Sequence, residues 1–101
     1  MLTNAGTVSA AEGFVAMLHG AERATVVGQP TMGTTGQILF AELPAGIRLT
    51  ICTRDTRYAD GRPIIGKGIQ PDVEVQPSRE DIAAGRDPVL ARAVEVLVNT
   101  R

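Results

Sequence analysis

Three residue types that carry much of enzyme chemistry are nearly missing from this 101-residue sequence, which has one cysteine (Cys52), one histidine (His19) and one lysine (Lys67). A single cysteine excludes an internal disulfide framework and a cysteine-rich zinc site. With one histidine and one lysine, few groups remain that could act as a general base near neutral pH. Tryptophan is absent and aromatics make up 3% of residues, so a core has to be built from Val, Leu, Ile and Ala. No apolar run reaches the roughly 18 residues of a membrane-spanning helix. Met1 to Phe14 lack the cationic and apolar regions of a secretory signal. The net charge is −1, which argues against a generic nucleic-acid or anionic-membrane surface, since either would need a basic excess.

What is present is ordinary globular composition, 44% apolar and 21% charged, in a chain long enough for one domain. Met1-Leu2-Thr3 reads as the tail of a strand, followed by a tight connection through Asn4-Ala5-Gly6-Thr7. A helix opens at Ser9-Ala10-Ala11-Glu12, with Phe14, Met17 and Leu18 as its apolar stripe and Gly20 as its left-handed stop. Ala24 to Val27 form a short buried strand, and the Gly- and Pro-bearing segment Gln29 to Gly36 is a loop. Ile38–Leu43 and Ile47–Thr53 are strands joined at Pro44-Ala45-Gly46, and Tyr58-Ala59-Asp60-Gly61 is a turn. Val73-Glu74-Val75 is a last short strand. Ser78 caps a short helix through Ala84, and Asp87-Pro88 starts a final helix with Val89, Leu90, Ala93, Val94 and Leu97 as its apolar stripe. The order β-α-β-β-β-β-α-α is a mixed α/β fold. Phe14, Leu18, Val26, Val27, Ile38, Phe40, Leu49, Ile51, Leu90, Val94 and Leu97 are the expected core, with Ile38, Phe40, Leu49 and Ile51 on one side of the hairpin. Cys52 is expected in the core as well. The truncated first strand suggests part of a larger domain, because a strand leading straight into a helix normally lies inside a sheet; a complete small domain with a frayed first strand is the alternative.

Among candidate chemical groups, Ser9 stands out by position. At a strand–turn–helix junction a serine hydroxyl can be exposed, and the helix N-terminus favours a developing negative charge. The Ala10 N–H is then placed as one oxyanion donor. Ser9-x-x-Glu12 also fits a capping box, a purely structural role. His19 cannot serve Ser9 as a base: ten residues of helix separate them by about 15 Å, and its natural role is to hydrogen-bond or cap the helix C-terminus. Lys67, between Gly66 and Gly68, reads as a solvated loop lysine. The Gly33/Gly36 loop lacks the Gly-Lys-Ser/Thr ending of a phosphate cradle. Asp55, Asp60 and Asp72 show no metal-ligand spacing, and Asp60 and Asp72 read as turn formers. Neither a metal nor a cofactor is expected.

Four segments in fixed order carry a resemblance: Ser9-Ala10-Ala11-Glu12, Arg23 to Gly33, Asp60-Gly61-Arg62 and Gly68-Ile69-Gln70-Pro71-Asp72. The chain over about residues 1–98 resembles the C-terminal half of the catalytic core of the C-terminal processing peptidases, also called tail-specific proteases. The resemblance implies a partial crotonase-like (ClpP-like) α/β core, a mixed sheet with a hairpin and flanking helices. It implies residues 1–101 are the C-terminal portion of such a domain, without its N-terminal half or any PDZ domain. It makes Ser9 the nucleophile of the family's Ser-Ala-x-Glu motif, acylated by a peptide carbonyl, with Ala10 contributing its N–H and an upstream glycine the second oxyanion donor. A peptide or protein is the implied substrate, an oligomer is compatible with it, and the cell envelope or another extracytoplasmic site is the implied location.

The sequence departs from that pattern where a base is needed. Thr34 stands where bacterial members have their catalytic lysine, 25 residues after the serine, and a threonine hydroxyl is far too weak a base to replace it. Gln37 lies three residues beyond Thr34, where the accessory glutamine should lie four beyond. A tricorn-like arrangement would bring a histidine from upstream, supported by a carboxylate just before the Gly-x-x-Pro-Asp motif, where this chain has Ile65. The alternative is a non-catalytic ligand- or peptide-binding module, as in the interphotoreceptor retinoid-binding protein repeats. The isolated chain is expected to be inactive on either reading.

Overall fold

The computed structural model describes residues 1–99. Its elements are β1 (Leu2–Thr3), α1 (Ala10–Gly20), β2 (Val27–Gly28), β3 (Ile38–Leu43), β4 (Ile47–Cys52), β5 (Val73–Glu74), α2 (Arg79–Ala83) and α3 (Pro88–Asn99), with a 3₁₀ turn at Pro44–Gly46 between β3 and β4. The order matches the one expected from the sequence. β1, β2 and β5 form a parallel sheet with β2 in the middle, and β3 and β4 form a separate antiparallel hairpin. This is a mixed α/β fold with a parallel sheet and a hairpin.

The local start signals act as the residue types require. Ser78 caps α2 by accepting from the Asp81 N–H at 3.0 Å, and Asp81 returns the bond to the Ser78 N–H at 3.0 Å. Asp87 accepts from the Leu90 N–H at 2.9 Å, with Pro88 as the first residue of α3. The Tyr58–Gly61 turn closes through the Gly61 N–H on the Tyr58 carbonyl at 2.9 Å, and the Asp60 carboxylate accepts from the Arg62 N–H at 3.0 Å.

The core lies elsewhere than the periodicity suggested. Val15, Ala16, Val26, Tyr58, Ile64 and Ile69 are buried together, with Met1 packed on them. Three of these come from residues 57–69, which carry no strand or helix. On α1 the buried residues are Glu12, Val15 and Ala16, so Phe14 (54% exposed) and Met17 (63%) face outward. The inward stripe is therefore offset by two residues from the expected one, which puts it on nearly the opposite face of a helix of 3.6 residues per turn. The left-handed residue after α1 is Glu22, at φ 55°, and not Gly20. A Cβ on Gly20 would instead meet the Tyr58 ring at 3.1 Å.

The hairpin also differs from expectation. Its three-residue turn pairs Leu43 with Ile47, which makes every cross-strand partner share parity: Ile38 pairs with Cys52 and Phe40 with Thr50, while Leu39 pairs with Ile51 and Ala41 with Leu49. Ile38 and Phe40 thus lie on the face opposite Leu49 and Ile51, because side chains alternate along a strand. All four are exposed, as is Cys52. On α3, Leu90, Val94 and Leu97 are exposed too. The helix packs against β1 and β2.

Candidate active site

The segment after β1 and the loop after β2 run side by side. The Gln29 N–H donates to the Thr3 carbonyl (2.9 Å), the Met32 N–H to the Thr7 carbonyl (3.1 Å), and the Ser9 N–H to the Thr34 carbonyl (3.0 Å). This ladder sets Ser9 beside Thr34, two positions that are 25 residues apart in sequence. Ser9 is exposed and immediately precedes the first residue of α1.

Its backbone is unusual. Ser9 sits at φ 55°, ψ −124°, a conformation that a residue bearing a Cβ adopts only under constraint. The constraint comes from Glu12, one turn into α1 and fully buried. Glu12 Oε2 accepts from the Ser9 N–H at 3.1 Å and the Thr34 N–H at 3.0 Å. Glu12 Oε1 accepts from the Gly33 N–H at 2.6 Å and the Thr31 hydroxyl at 2.6 Å. Four donors thus converge on one acceptor-only group, which is how a buried carboxylate is satisfied without a cation. Ser9 and Glu12 stand in the capping-box relation, but the Ser9 hydroxyl makes no side-chain cap hydrogen bond.

A second loop backs the first. The Gly66 N–H donates to the Gly33 carbonyl at 2.8 Å, the Thr31 N–H donates to the Ile69 carbonyl at 3.1 Å, and the Thr31 hydroxyl accepts from the Ile69 N–H at 2.8 Å. The two loops approach through glycines. A Cβ on Gly33 would stand 2.7 Å from the Gly68 nitrogen, and one on Gly68 would run into the Thr31 carbonyl. Both glycines also have positive φ, at 76° and 68°.

The remaining residues singled out in the sequence are placed as follows. Ala10 begins α1, so its N–H has no acceptor within the helix. Thr34 is exposed and touches Ser9 through backbone only, by its carbonyl. Gln37 is exposed at the root of the hairpin, where its carbonyl accepts from the Thr53 N–H at 2.8 Å. Lys67 is exposed, but tertiary folding brings its backbone against Gly33: a Cβ there would lie 3.1 Å from the Lys67 nitrogen.

His19 lies at the other end of α1, in a separate cluster. Its Nε2 is 3.0 Å from Asp72 Oδ1 and its Nδ1 is 3.1 Å from the Tyr58 hydroxyl. Asp72 Oδ2 accepts from the Val26 N–H at 2.7 Å, so Asp72 is more than the turn former its sequence context suggested. Partial burial works against the Asp72 charge, but the Val26 N–H and the His19 hydrogen bond prevail and hold its carboxyl below the usual value. Burial pushes the Tyr58 phenol up, against the pull of the Arg62 guanidinium, which stacks 4.3 Å above the ring centre. The cluster clasps α1 to β2 and to the turn at 58–62. His19 is therefore spoken for on both nitrogens and does not cap the helix. The sequence reading missed the Asp72–His19 pair, for which 53 residues of separation leave no local signal. Among the described residues no group of three or more His, Cys, Asp or Glu side chains could hold a metal ion, and no helix is long and apolar enough to cross a membrane.

A sequence profile of peptidase family S41 matches residues 1–75. No curated protein sequence matches at a significant level. Among solved structures, a protein of Parabacteroides merdae assigned to the peptidases superposes with a TM-score of 0.84 at 31% identity, over 95% of this chain and 30% of its own. The photosystem II D1 C-terminal processing protease superposes with a TM-score of 0.66 at 27% identity, over 76% of this chain and 20% of its own. The tricorn protease, at 24% identity and a TM-score of 0.82, shares the fold over 98% of this chain and 10% of its own. This chain spans less than a third of the length of each of these three structures.

Proposed function

The chain belongs to peptidase family S41, and on that premise we propose that it is the nucleophile-bearing part of a serine-type peptidase domain acting on peptides or proteins. Ser9 Oγ attacks the scissile carbonyl and forms an acyl-enzyme that water then hydrolyses. The Ala10 N–H, at the start of α1, takes part of the negative charge on the tetrahedral oxygen. The observation that carries this reading is the backbone of Ser9: an exposed serine at a helix start, at φ 55° and ψ −124°, with no side-chain cap bond consuming its hydroxyl. A strained turn that presents a serine hydroxyl in this way is a recurrent device for exposing a nucleophile.

The base and the second oxyanion donor lie outside these residues on this reading. His19 is committed to Asp72 and Tyr58, and Thr34 stands where a lysine would be required. Residues 1–101 are thus the C-terminal portion of a larger catalytic domain, whose N-terminal half contributes both groups. Thr34, whose carbonyl accepts from the Ser9 N–H, and Gln37, by its spacing alone, are accessory candidates that move no proton. The absence of a lysine at Thr34 is also what favours the second reading, a peptide-binding module that keeps the fold without the chemistry.

Labelling with a fluorophosphonate probe separates the two. The 101-residue chain, the full-length protein and a full-length Ser9→Ala variant are compared. The isolated chain is expected to label poorly, since loss of a triad base leaves only a ~10³–10⁴-fold advantage over water. The full-length protein is expected to label at Ser9 and the variant not at all. An unlabelled full-length protein selects the binding module, and strong Ser9-dependent labelling of the isolated chain refutes the claim that the base lies outside it.

A further inference from the structure

We infer that Thr31 is a positioning residue for Ser9, acting through the Glu12 carboxylate. Thr31 is 5% exposed and Glu12 is fully buried, so water does not compete for the bonds between them. The Thr31 hydroxyl accepts from the Ile69 N–H at 2.8 Å and donates to Glu12 Oε1 at 2.6 Å. A hydroxyl has one proton, so the bond from Ile69 leaves it aimed at Glu12. The Thr31 N–H is fixed as well, on the Ile69 carbonyl at 3.1 Å. The Gly68–Ile69 loop therefore orients Thr31, Thr31 orients one oxygen of Glu12, and the other oxygen holds the Ser9 and Thr34 N–H groups at 3.1 and 3.0 Å.

A backbone at φ 55°, ψ −124° persists at a non-glycine residue only where its surroundings over-determine it. For Ser9 those surroundings are two acceptors on its N–H, the Thr34 carbonyl and the Glu12 carboxylate, and two donors on its carbonyl, the Thr35 hydroxyl and the Gly13 N–H. Thr31 is hydrogen-bonded to the carboxylate and to Ile69, and its effect reaches Ser9 only through Glu12. Valine at position 31 keeps the shape of the side chain and removes both hydroxyl bonds, the one given to Glu12 Oε1 and the one accepted from the Ile69 N–H, leaving the Gly33 N–H as the donor to that oxygen. Only the catalytic readout below rests on Ser9 being a nucleophile.

The test compares Thr31→Val and Thr31→Ser with the unaltered protein by two measurements. Amide hydrogen exchange is followed at Ser9 and, as a reference for global opening, at Val27 in the sheet. Fluorophosphonate labelling of Ser9 is timed in the full-length protein. Thr31→Val is expected to speed Ser9 exchange relative to Val27 by about tenfold or more, the scale of losing a hydrogen bond to a charged group, and to slow labelling at least as much. Thr31→Ser, which restores the hydroxyl, is expected to return both to within about threefold, a rescue that simple loss of packing would not give. Thr31→Val with wild-type Ser9 exchange overturns the inference, as does an acceleration shared equally by Val27. If the unaltered full-length protein is not labelled but the exchange effect and its rescue hold, the nucleophile reading fails and the positioning of Ser9 by Thr31 stands.

Discussion

The two ends of α1 are each held by a carboxylate, but by different chemical means. At the start, Glu12 accepts from three backbone N–H groups and one hydroxyl whose own acceptor side is taken by Ile69. The three N–H groups cannot become acceptors, and the hydroxyl is held as a donor by the carboxylate it faces. At the end, Asp72 accepts from the Val26 N–H and meets His19, whose second nitrogen faces the Tyr58 hydroxyl. Imidazole and phenol can both exchange donor for acceptor, so that end can reverse its bonds without moving its atoms. The first end also holds the strained Ser9, and the second holds no strained residue among those joined in the clasp. A rigid, one-directional network suits the place where a hydroxyl must be presented in one geometry. A reversible one suffices where the need is to pin a helix to a sheet.

Replacing Glu12 by glutamine tests the rigid end and has the largest expected effect. The carboxamide has the carboxylate's shape, but its NH₂ must face either the Ser9 and Thr34 N–H groups or the Gly33 N–H and the Thr31 hydroxyl. In the first case it opposes two N–H groups, and in the second it opposes the Gly33 N–H while the Thr31 hydroxyl has to turn and accept, in a fully buried site either way. A loss of about 3 kcal/mol or more is expected in urea denaturation, on the scale of leaving buried polar groups unpaired. That is a large share of the roughly 5–15 kcal/mol that holds a folded protein together. A loss under about 1 kcal/mol would show that the site reorganises, and the contrast between the two ends would fail.

Asp72→Asn tests the reversible end, and about 1 kcal/mol is expected. The amide oxygen keeps the Val26 N–H, while the NH₂ donates to His19 Nε2 once the proton of the ring moves to Nδ1 and is accepted by the Tyr58 hydroxyl. The pH dependence follows from the same bonds. Because the folded Asp72 carboxyl sits below its ordinary value of 3.8, the unfolded chain takes up this proton first on acidification. Its contribution is complete above that ordinary value and is lost as pH falls through the lower, folded value. The side chain is 42% exposed, so solvent screening keeps the increment below about 1 kcal/mol. Acid unfolding of the Asn variant should lack this component, and an unchanged acid limb would remove Asp72 as its source.

What the sequence made legible, and what it did not, divides along the same line. Element order, the caps at Ser78 and Asp87 and the turn at Pro44–Gly46 rest on neighbours within a few residues, and each was readable from residue type. The position of Ser9 at a helix start was readable for that reason too. The core was not: Tyr58, Ile64 and Ile69 belong to a segment with no repeating hydrogen bonds, hence no period to detect. The inward face of α1 is set by Glu12, a charged residue that a hydrophobic stripe would never select. Its donors lie 19 to 22 residues downstream, apart from Ser9. The hairpin faces were inverted by one detail, the parity set by the turn. Strain at Ser9 had no marker at all, because the chain uses serine where the backbone alone would favour glycine.

That last point yields the smallest expected effect and the sharpest sign. Ser9→Gly removes the Cβ that makes φ 55°, ψ −124° costly, a relief of about 1–3 kcal/mol for a strained non-glycine residue. It also loosens the unfolded chain, which takes back roughly 0.4–1 kcal/mol. A net gain of about 1 kcal/mol is expected. Ser9→Ala keeps the Cβ and the strain, and because the hydroxyl makes no cap bond its removal should change stability by less than about 0.5 kcal/mol. If the hydroxyl did cap α1, alanine would cost about 1 kcal/mol and glycine only a few tenths. Stability that rises with glycine and holds with alanine would mean the serine is kept against the folding preference of its own backbone, while the Glu12 network absorbs the strain. Thermal or urea midpoints of the two variants, measured beside the unaltered chain, decide between a strained serine and a simple cap.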